Sequence, residues 1–427
     1  MYPANDLCVS DIGNARRERA YGPRMGEATL VFDPFSQEFF DDPYEFYRWM
    51  RAEAPVYYSD QYDFYALTRH ADVAAAYKDY ETYSSAYGVD LATVQAGGPP
   101  PEVRLLQFMD PPEHRQMRSV LNKLFTPRAI QLRRSMITMV IDKYLGAIDS
   151  DEFDVVQQFT APFPVEVITT MLGIPEDHVQ QVRLWTDESL HREPGQIEMD
   201  ERGQQAVDES MAYYAAVVQQ RRAQPGEGDL FSLLMAAEIE RDDGSVSGLT
   251  DYEIMGFASQ LGGAGAETVT KLLASAVYLF ARHPDQWAKL LADRTLITAA
   301  VEELLRYDNP VHYDVRCSVK ESTLHGVTIR VGKPVFLMLA SANRDPEAWR
   351  NADVFDIERN RTEAQNLGLG YGIHSCLGAA LARMETAIAL EKLLDFMPRY
   401  QVDWDSCRRV QMANVGGWSS VPVHVLR

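Results

Sequence analysis

The sequence predicts a mainly α-helical fold with a small β part, an α+β arrangement in one large domain. Three observations carry that prediction. From about Asp110 to Leu305 the apolar residues recur at helical spacing, with breaks only at Pro/Gly clusters. Segments rich in β-formers are short and few: residues 55–59, 64–68, 323–331, 335–339 and 421–426. The chain has 427 residues, 46% of them hydrophobic, enough for a large core. That length alone would allow two or three domains, but no Pro-, Gly- or Ser-rich linker divides the chain.

In chain order, residues 1–30 are polar and mixed in charge and are expected to form a flexible N-terminal arm, with the domain over 31–427. Residues 36–52 place Phe39, Phe40, Phe46, Tyr47 and Met50 at helical spacing. Two short β segments follow around a turn, then a helix over 71–79. Residues 88–101 form the least ordered interior stretch, ending in the breaker cluster Gly97-Gly-Pro-Pro-Pro101. Asp110-Pro-Pro-Glu113 has the pattern of a helix start, with Asp as cap and Pro in the first turn. The long helical region is interrupted at 162–164, 173–175, 194–195, 225–229 and 242–248. Strands over 323–331 and 335–339 flank Gly332-Lys333.

A net charge of -21 argues against nucleic acid and against an anionic membrane as partner. No apolar run approaches the roughly 20 residues of a membrane span, so no membrane anchor is expected. The N-terminus lacks an apolar signal core. Cys8, Cys317, Cys376 and Cys407 are too dispersed for a disulfide framework. A cytoplasmic enzyme is expected.

Cys376 lies in the run Leu369-Gly-Tyr-Gly-Ile-His-Ser-Cys-Leu-Gly-Ala-Ala-Leu-Ala-Arg383. Glycines precede it, and a helix-forming stretch follows. This pattern sets a thiolate at the mouth of a helix, where free N–H groups stabilise negative charge. Gly370 and Gly372 permit backbone conformations closed to other residues, and Gly378 leaves room beside the sulfur. A lone buried Cys is more often structural. A zinc site would need ligands beyond His374 and Cys376, and no convincing second pair follows.

Gly262-Gly-Ala-Gly-Ala-Glu-Thr268 interrupts an apolar helical stretch over 252–280. Each interior glycine costs about 1 kcal/mol relative to alanine. The cluster therefore marks either a helix that opens or is closely approached there, or a tight helix crossing. Glu267 and Thr268 add an acid and an alcohol, which together can carry protons. Further on, Glu303 and Arg306 lie on one helical face at i, i+3. An isolated pair of this kind would be a weak surface ion pair; here it precedes Asn309-Pro310 and Arg316.

Taken in order, these motifs, with Ala342-Asn-Arg-Asp-Pro346 between them, resemble the cytochrome P450 family of haem-thiolate monooxygenases, from about Phe32 to the C-terminus. The resemblance implies a single triangular, mostly helical domain with haem b, iron protoporphyrin IX, between a central helix and the cysteine loop. It implies Cys376 as the iron ligand and Thr268 and Glu267 as the catalytic alcohol and relay acid. His114, Arg118, Arg316 and His374 match the family's contacts to the haem propionates. Gly370, Gly378 and Ala264 would lie against the cofactor, and Glu303 with Arg306 would lock the fold behind it. Leu369 departs from the family's usual Phe beside the thiolate, which should weaken the shielding of the sulfur.

The same resemblance implies hydroxylation of a small apolar molecule with O2 and electrons from a ferredoxin and its reductase. No dinucleotide fingerprint follows a strand and no reductase domain fits in this length. Arg115, Lys123 and Arg128 could face an acidic donor, and a monomer is expected. Substrate walls are expected from Val94, Leu105, Phe108, Leu261, Val311, Val415 and Trp418, with His312 and Tyr313 as polar members. A terpenoid, steroid or branched lipid would suit such a pocket. The competing functions are a haem-thiolate enzyme that uses peroxide or rearranges its substrate without O2, and a haem sensor without catalysis.

Overall fold

A 32-residue helix, Asp251–Arg282, runs through the centre of the molecule. The computed structural model describes residues 31–100, 105–226, 228–241 and 244–427, and within it Phe32–Arg427 forms one unit. The expected arm over residues 1–30 lies outside the described residues.

The central helix starts at a reciprocal cap. Thr250 Oγ1 accepts from the Glu253 N–H at 3.2 Å, while the Glu253 carboxylate accepts from the Thr250 N–H at 2.8 Å. It ends at His283, before Pro284. Most of its second half is buried, with Val269, Leu272, Leu273, Ala276 and Phe280 among the apolar residues, as in a helix enclosed by others. Pro162–Leu172, Val179–Leu190, Glu201–Ala223 and Ala379–Phe396 pack around it.

The β part is a mixed five-stranded sheet ordered Val56–Ser59, Phe64–Leu67, Pro334–Leu337, Asp314–Ser318, Tyr83–Ser84, with smaller sheets beside it. Pro334–Leu337 runs parallel to Phe64–Leu67 and antiparallel to Asp314–Ser318. Alternation along a strand sends Val315 and Cys317 into an aromatic-rich core cluster that also takes Tyr313. The opposite parity sends Asp314 and Arg316 to the main cavity.

Several expectations change in detail. The helix expected over 36–52 is two, Gln37–Asp41 and Tyr44–Glu53, because Pro43 separates them. The stretch expected to lack order holds a short helix, Leu91–Gln95, capped by Asp90, which accepts from the Thr93 N–H at 2.8 Å. Asp110 does not cap the helix Glu113–Asn122; its carboxylate holds Ser84 and the Ser85 N–H instead, tying that helix start to the sheet edge. The strand expected over 323–331 is a hairpin, Ser322–Leu324 with Val327–Ile329, turning at His325-Gly326 with positive φ at both. Asp314–Ser318 is a strand that was not expected.

Candidate active site

The cysteine loop crosses beneath the central helix. Gly370 and Gly372 adopt φ of 68° and 70°, the left-handed region open to glycine. At Gly372 a Cβ would fall 2.5 Å from the Tyr77 carbonyl oxygen, so only glycine fits. The Cys376 N–H donates to the Leu369 carbonyl at 2.7 Å, closing the loop. Gly378 then caps the helix Ala379–Phe396. Cys376 lies deep in the protein, yet its sulfur has accessible surface, because that surface opens onto an internal cavity. Burial pushes its thiol up, opposed by the Gly378 N–H and the Arg118 and Arg383 cations. A bound metal cation would hold the sulfur as thiolate.

The cavity has a volume of about 580 Å³, within the roughly 300–1,000 Å³ of small-molecule sites. Cys376 and Gly378 line it from one element, and Ala264, Glu267 and Thr268 from another. Arg118, Arg316 and His374 join them. Arg118 is anchored to the Ser375 carbonyl. Arg316 donates to the Val315 carbonyl at 2.7 Å. His114 is buried behind this wall, its ring 4.3 Å from that of His374. Burial, with Arg118 adding to it, lowers His114 to about 4. The Nε2 atoms of His114 and His374 are buried without a protein partner. Two guanidinium groups and two unsatisfied imidazole nitrogens near a thiol on a helix mouth form a donor set that fits an iron porphyrin with two carboxylates.

In the central helix Gly262 and Gly265 serve close packing. A Cβ on Gly265 would meet Ile168 at 2.8 Å, and one on Gly262 would meet the Tyr214 hydroxyl at 2.5 Å. The helix is continuous α over this stretch, so the tight crossing, not an opened turn, accounts for these two positions. Thr268 Oγ1 donates to the Ala264 carbonyl at 3.1 Å. Lys271 meets Glu267 at 2.8 Å, both side chains about 5% exposed or less.

Glu303 and Arg306 are not a surface pair. They form a buried bidentate bridge at 2.8 Å and 2.8 Å. Arg306 also donates to the Asn343 and Ala352 carbonyls, and Arg359 binds Glu303 from the following loop at 3.1 Å. The network pins residues 343–359, the segment that leads into the cysteine loop.

Of the expected substrate walls, Leu105, Leu261, Val311 and Val415 line the cavity. Val94, Phe108, Trp418, His312 and Tyr313 do not. Val94 belongs to the aromatic-rich core, and Trp418 stacks on Tyr278 with Arg409 over its ring. His312 turns away to bond the Tyr47 hydroxyl through Nδ1 at 2.8 Å. Tyr313 donates to the Ala413 carbonyl at 2.9 Å. Gly370 shapes the loop without lining the cavity.

Three acids and amides escaped sequence reasoning. Glu385 lines the cavity with both carboxylate oxygens buried and unpartnered, and burial raises its carboxyl well above the usual range. Gly378, Leu381, Ala382 and Glu385 follow i, i+3, i+4, i+7, so helical spacing from the cysteine could have found it. Asn414 reaches the wall from a loop bridged to Val311 by the Val311–Val415 contact. Asp187 comes from Val179–Leu190, whose Val182, Trp185, Thr186 and Ser189 face the cavity at helical spacing.

The family model for cytochrome P450 matches residues 194–412. The chain is 38% identical to cytochrome P450 123 of Mycobacterium tuberculosis over 94% of this chain and 98% of the relative. CYP109E1 from Bacillus megaterium, solved in complex with testosterone, superposes with a TM-score of 0.82 at 28% identity, covering 90% of this chain and 98% of that one. A mutant of P450 EryK solved with erythromycin B gives 0.81 at 34% identity, covering 90% and 96%. The chain belongs to the cytochrome P450 family. It is a haem-dependent monooxygenase with the P450 fold, and its cofactor is iron protoporphyrin IX. Enzymes of this kind take electrons from redox partners. No helix among the described residues is long and apolar enough to cross a membrane.

Proposed function

We propose that this monooxygenase hydroxylates a mainly apolar small molecule of terpenoid, steroid or branched-lipid type, held between the cysteine loop and the central helix. One observation carries the proposal: Cys376 and the Glu267–Thr268 pair line the same largely apolar cavity from facing elements. In this reading Cys376 would ligate the iron as a thiolate, and Arg118, Arg316, His374 and the buried His114 would hold the propionates. Ala264 and Gly378 leave space for the ring. Bound haem would supply the activation of O2, chemistry that a thiolate ligand favours. Thr268 keeps its hydroxyl at the cavity, and Glu267, the preceding residue on the same helix, passes protons to it.

Leu105, Val182, Leu261, Val311 and Val415 supply apolar walls, while Thr186, Ser189 and Asn414 offer the substrate a polar handle. Testosterone, bound in one of the similar structures, is a ligand of that character. Arg115, Lys123 and Arg128 are all exposed, which supports a docking patch for an acidic ferredoxin served by its own reductase. We place residues 31–427 as the catalytic domain of a cytoplasmic monomer.

The test begins with the reduced protein under carbon monoxide, wild type beside Cys376→Ala. A strongly red-shifted Soret band that disappears in the variant is expected; a histidine-like band in the wild type would overturn the ligand assignment. A substrate panel follows. Spectral shifts with charged sugars or nucleotides alone would overturn the apolar substrate class, and product formation must require O2 and an electron donor. Unchanged reduction rates after charge reversal at Arg115, Lys123 and Arg128 would remove the patch.

A further inference from the structure

Two carboxamides line the cavity and take no part in the reaction as read above. Gln260 comes from the central helix and Gln107 from the turn Leu106–Phe108. Both are half-buried, and Gln260 Nε2 donates to Gln107 Oε1 at 3.0 Å. Among the described residues this is the only side-chain hydrogen bond that either makes. A carboxamide offers two N–H donors and an accepting oxygen. The pair therefore keeps a free carbonyl oxygen on Gln260 and a free NH2 on Gln107. Turning both amides over exchanges these roles and leaves the same set. Polar groups unpaired in a largely apolar cavity are costly, and a ligand that satisfies them recovers that cost.

The wall between this pair and the reacting end has a different character. Gln260, Ala264 and Thr268 follow at i, i+4 and i+8 on one continuous helix, and all three line the cavity. At a rise of about 1.5 Å per residue, Gln260 stands about 12 Å along the axis from Thr268. Leu261 lines the stretch between them, and Val182 packs over it, 3.4 Å from where a Cβ on Gly262 would sit. The hydroxyls of Thr186 and Ser189 also belong to this cavity. Each donates to its own helix, to the Val182 and Thr186 carbonyls at 3.0 Å and 2.9 Å, and keeps only lone pairs for a ligand. The carboxamide pair offers a donor and an acceptor together.

We propose that Gln107 and Gln260 are specificity-determining residues that read an uncharged hydroxyl group on the substrate, at the end away from Thr268. A hydroxyl both donates and accepts. Its O–H donates to the free Gln260 oxygen, and its oxygen accepts from the Gln107 NH2. A ketone only accepts and satisfies half of the pair. A hydrocarbon satisfies none of it, and a carboxylate would bring a charge that meets no cation on these two residues. The substrate is thus an alcohol with an apolar body, oxidised at a carbon remote from its hydroxyl. This proposal rests on the reading of the cavity as the seat of an apolar substrate.

The test is equilibrium binding to the holoenzyme, followed by the spectral shift of the haem. The probes are matched trios of hydrocarbon, ketone and alcohol, substituted at one end of a steroid, a cyclic terpenoid and a branched alkane. On the skeletons that bind, the alcohol should bind about 10-fold tighter than the hydrocarbon, with the ketone between them. Gln260→Met and Gln107→Met keep the length of the side chain and remove the amide. Each should narrow that ratio, and the double variant should close it. If the pair merely ties the turn to the helix, the variants weaken all three members alike and the ratio stays, which overturns the proposal. Equal binding of hydrocarbon and alcohol by the wild type overturns it too, with the apolar reading of the cavity intact. Absence of a shift with every skeleton would defeat that reading, and this proposal with it. Products give a second readout. Oxidation should fall away from the existing hydroxyl in the wild type and spread over more carbons in the double variant. Wild-type oxidation at the hydroxyl-bearing carbon would put the handle at the wrong end and overturn the assignment.

Discussion

Thr268 Oγ1 donates its hydrogen bond to the Ala264 carbonyl oxygen, 3.1 Å away and one helical turn earlier. The bond fixes the hydroxyl on the cavity side of an unbroken helix and leaves the oxygen's lone pairs free to accept. A hydroxyl so held orders a water or a reacting oxygen while Glu267, about 100° round the helix, lies against Lys271.

Thr268→Ala is therefore expected to bind haem and substrate normally but to lose the coupling of electron use to product. Product per O2 consumed should fall steeply, with peroxide released in its place. Thr268→Ser should restore most of it. Parallel assays of product, peroxide and O2 uptake check this, and an alanine variant that stays fully coupled would remove Thr268 from the relay.

Removing Arg306 leaves Glu303 buried with only Arg359 opposite, and strips the carbonyls of Asn343 and Ala352 of their donor. Breaking such a buried pair costs about 3–5 kcal/mol. Arg306→Leu should accordingly lower the thermal midpoint sharply and reduce haem retention, because the segment it pins leads to Cys376. Arg306→Lys should recover little, since an ammonium cannot reproduce the bidentate contact. Haem content and thermal unfolding of the purified variants measure both effects.

The difference between Cys376 and His312 shows what the sequence could reveal. The Cys376 loop was legible because its constraints are local: positive φ at two glycines, a helix start, and a sulfur between them. The same holds for Glu303 and Arg306, one turn apart on one helix, although their burial depended on Arg359 and the carbonyls of a distant loop. His312 and Tyr313 were misplaced because their facing is set by the register of Asp314–Ser318, a strand not anticipated, and by Tyr47, 265 residues away in sequence. Local geometry was readable; pairings between distant elements were not.

His312 gives a prediction on both specificity and stability. It faces away from the cavity, so His312→Asn should leave substrate spectral shifts unchanged, whereas Asn414→Leu should alter them. Burial lowers His312 to about 4. Between pH 6.5 and 4 the unfolded chain binds a proton that the folded one refuses, so stability is lost as pH falls through this window. The shift corresponds to about 3 kcal/mol. The variant's unfolding free energy should decline less steeply than the wild type's below pH 6.5, and equal slopes would contradict the assignment. Gly416→Ala probes the same packing, because its Cβ would fall 2.0 Å from His312 Nε2; a loss of about 1–3 kcal/mol is expected.

Glu385 yields the opposite sign. Its two oxygens lack partners and burial raises its carboxyl well above the usual range, so the folded protein keeps this group protonated. Above about pH 4.3 the unfolded chain releases the proton while the folded chain holds it. The folded state then binds more protons, and its stability falls as pH rises through this range. Glu385→Gln keeps the shape and the neutral charge and removes that dependence. The variant should match the wild type in thermal midpoint near pH 4 and gain on it steadily toward pH 8. Midpoints of both holoenzymes across this range decide the matter. A gap that stays constant, or that widens toward acid, would mean that Glu385 is ionised in the folded enzyme.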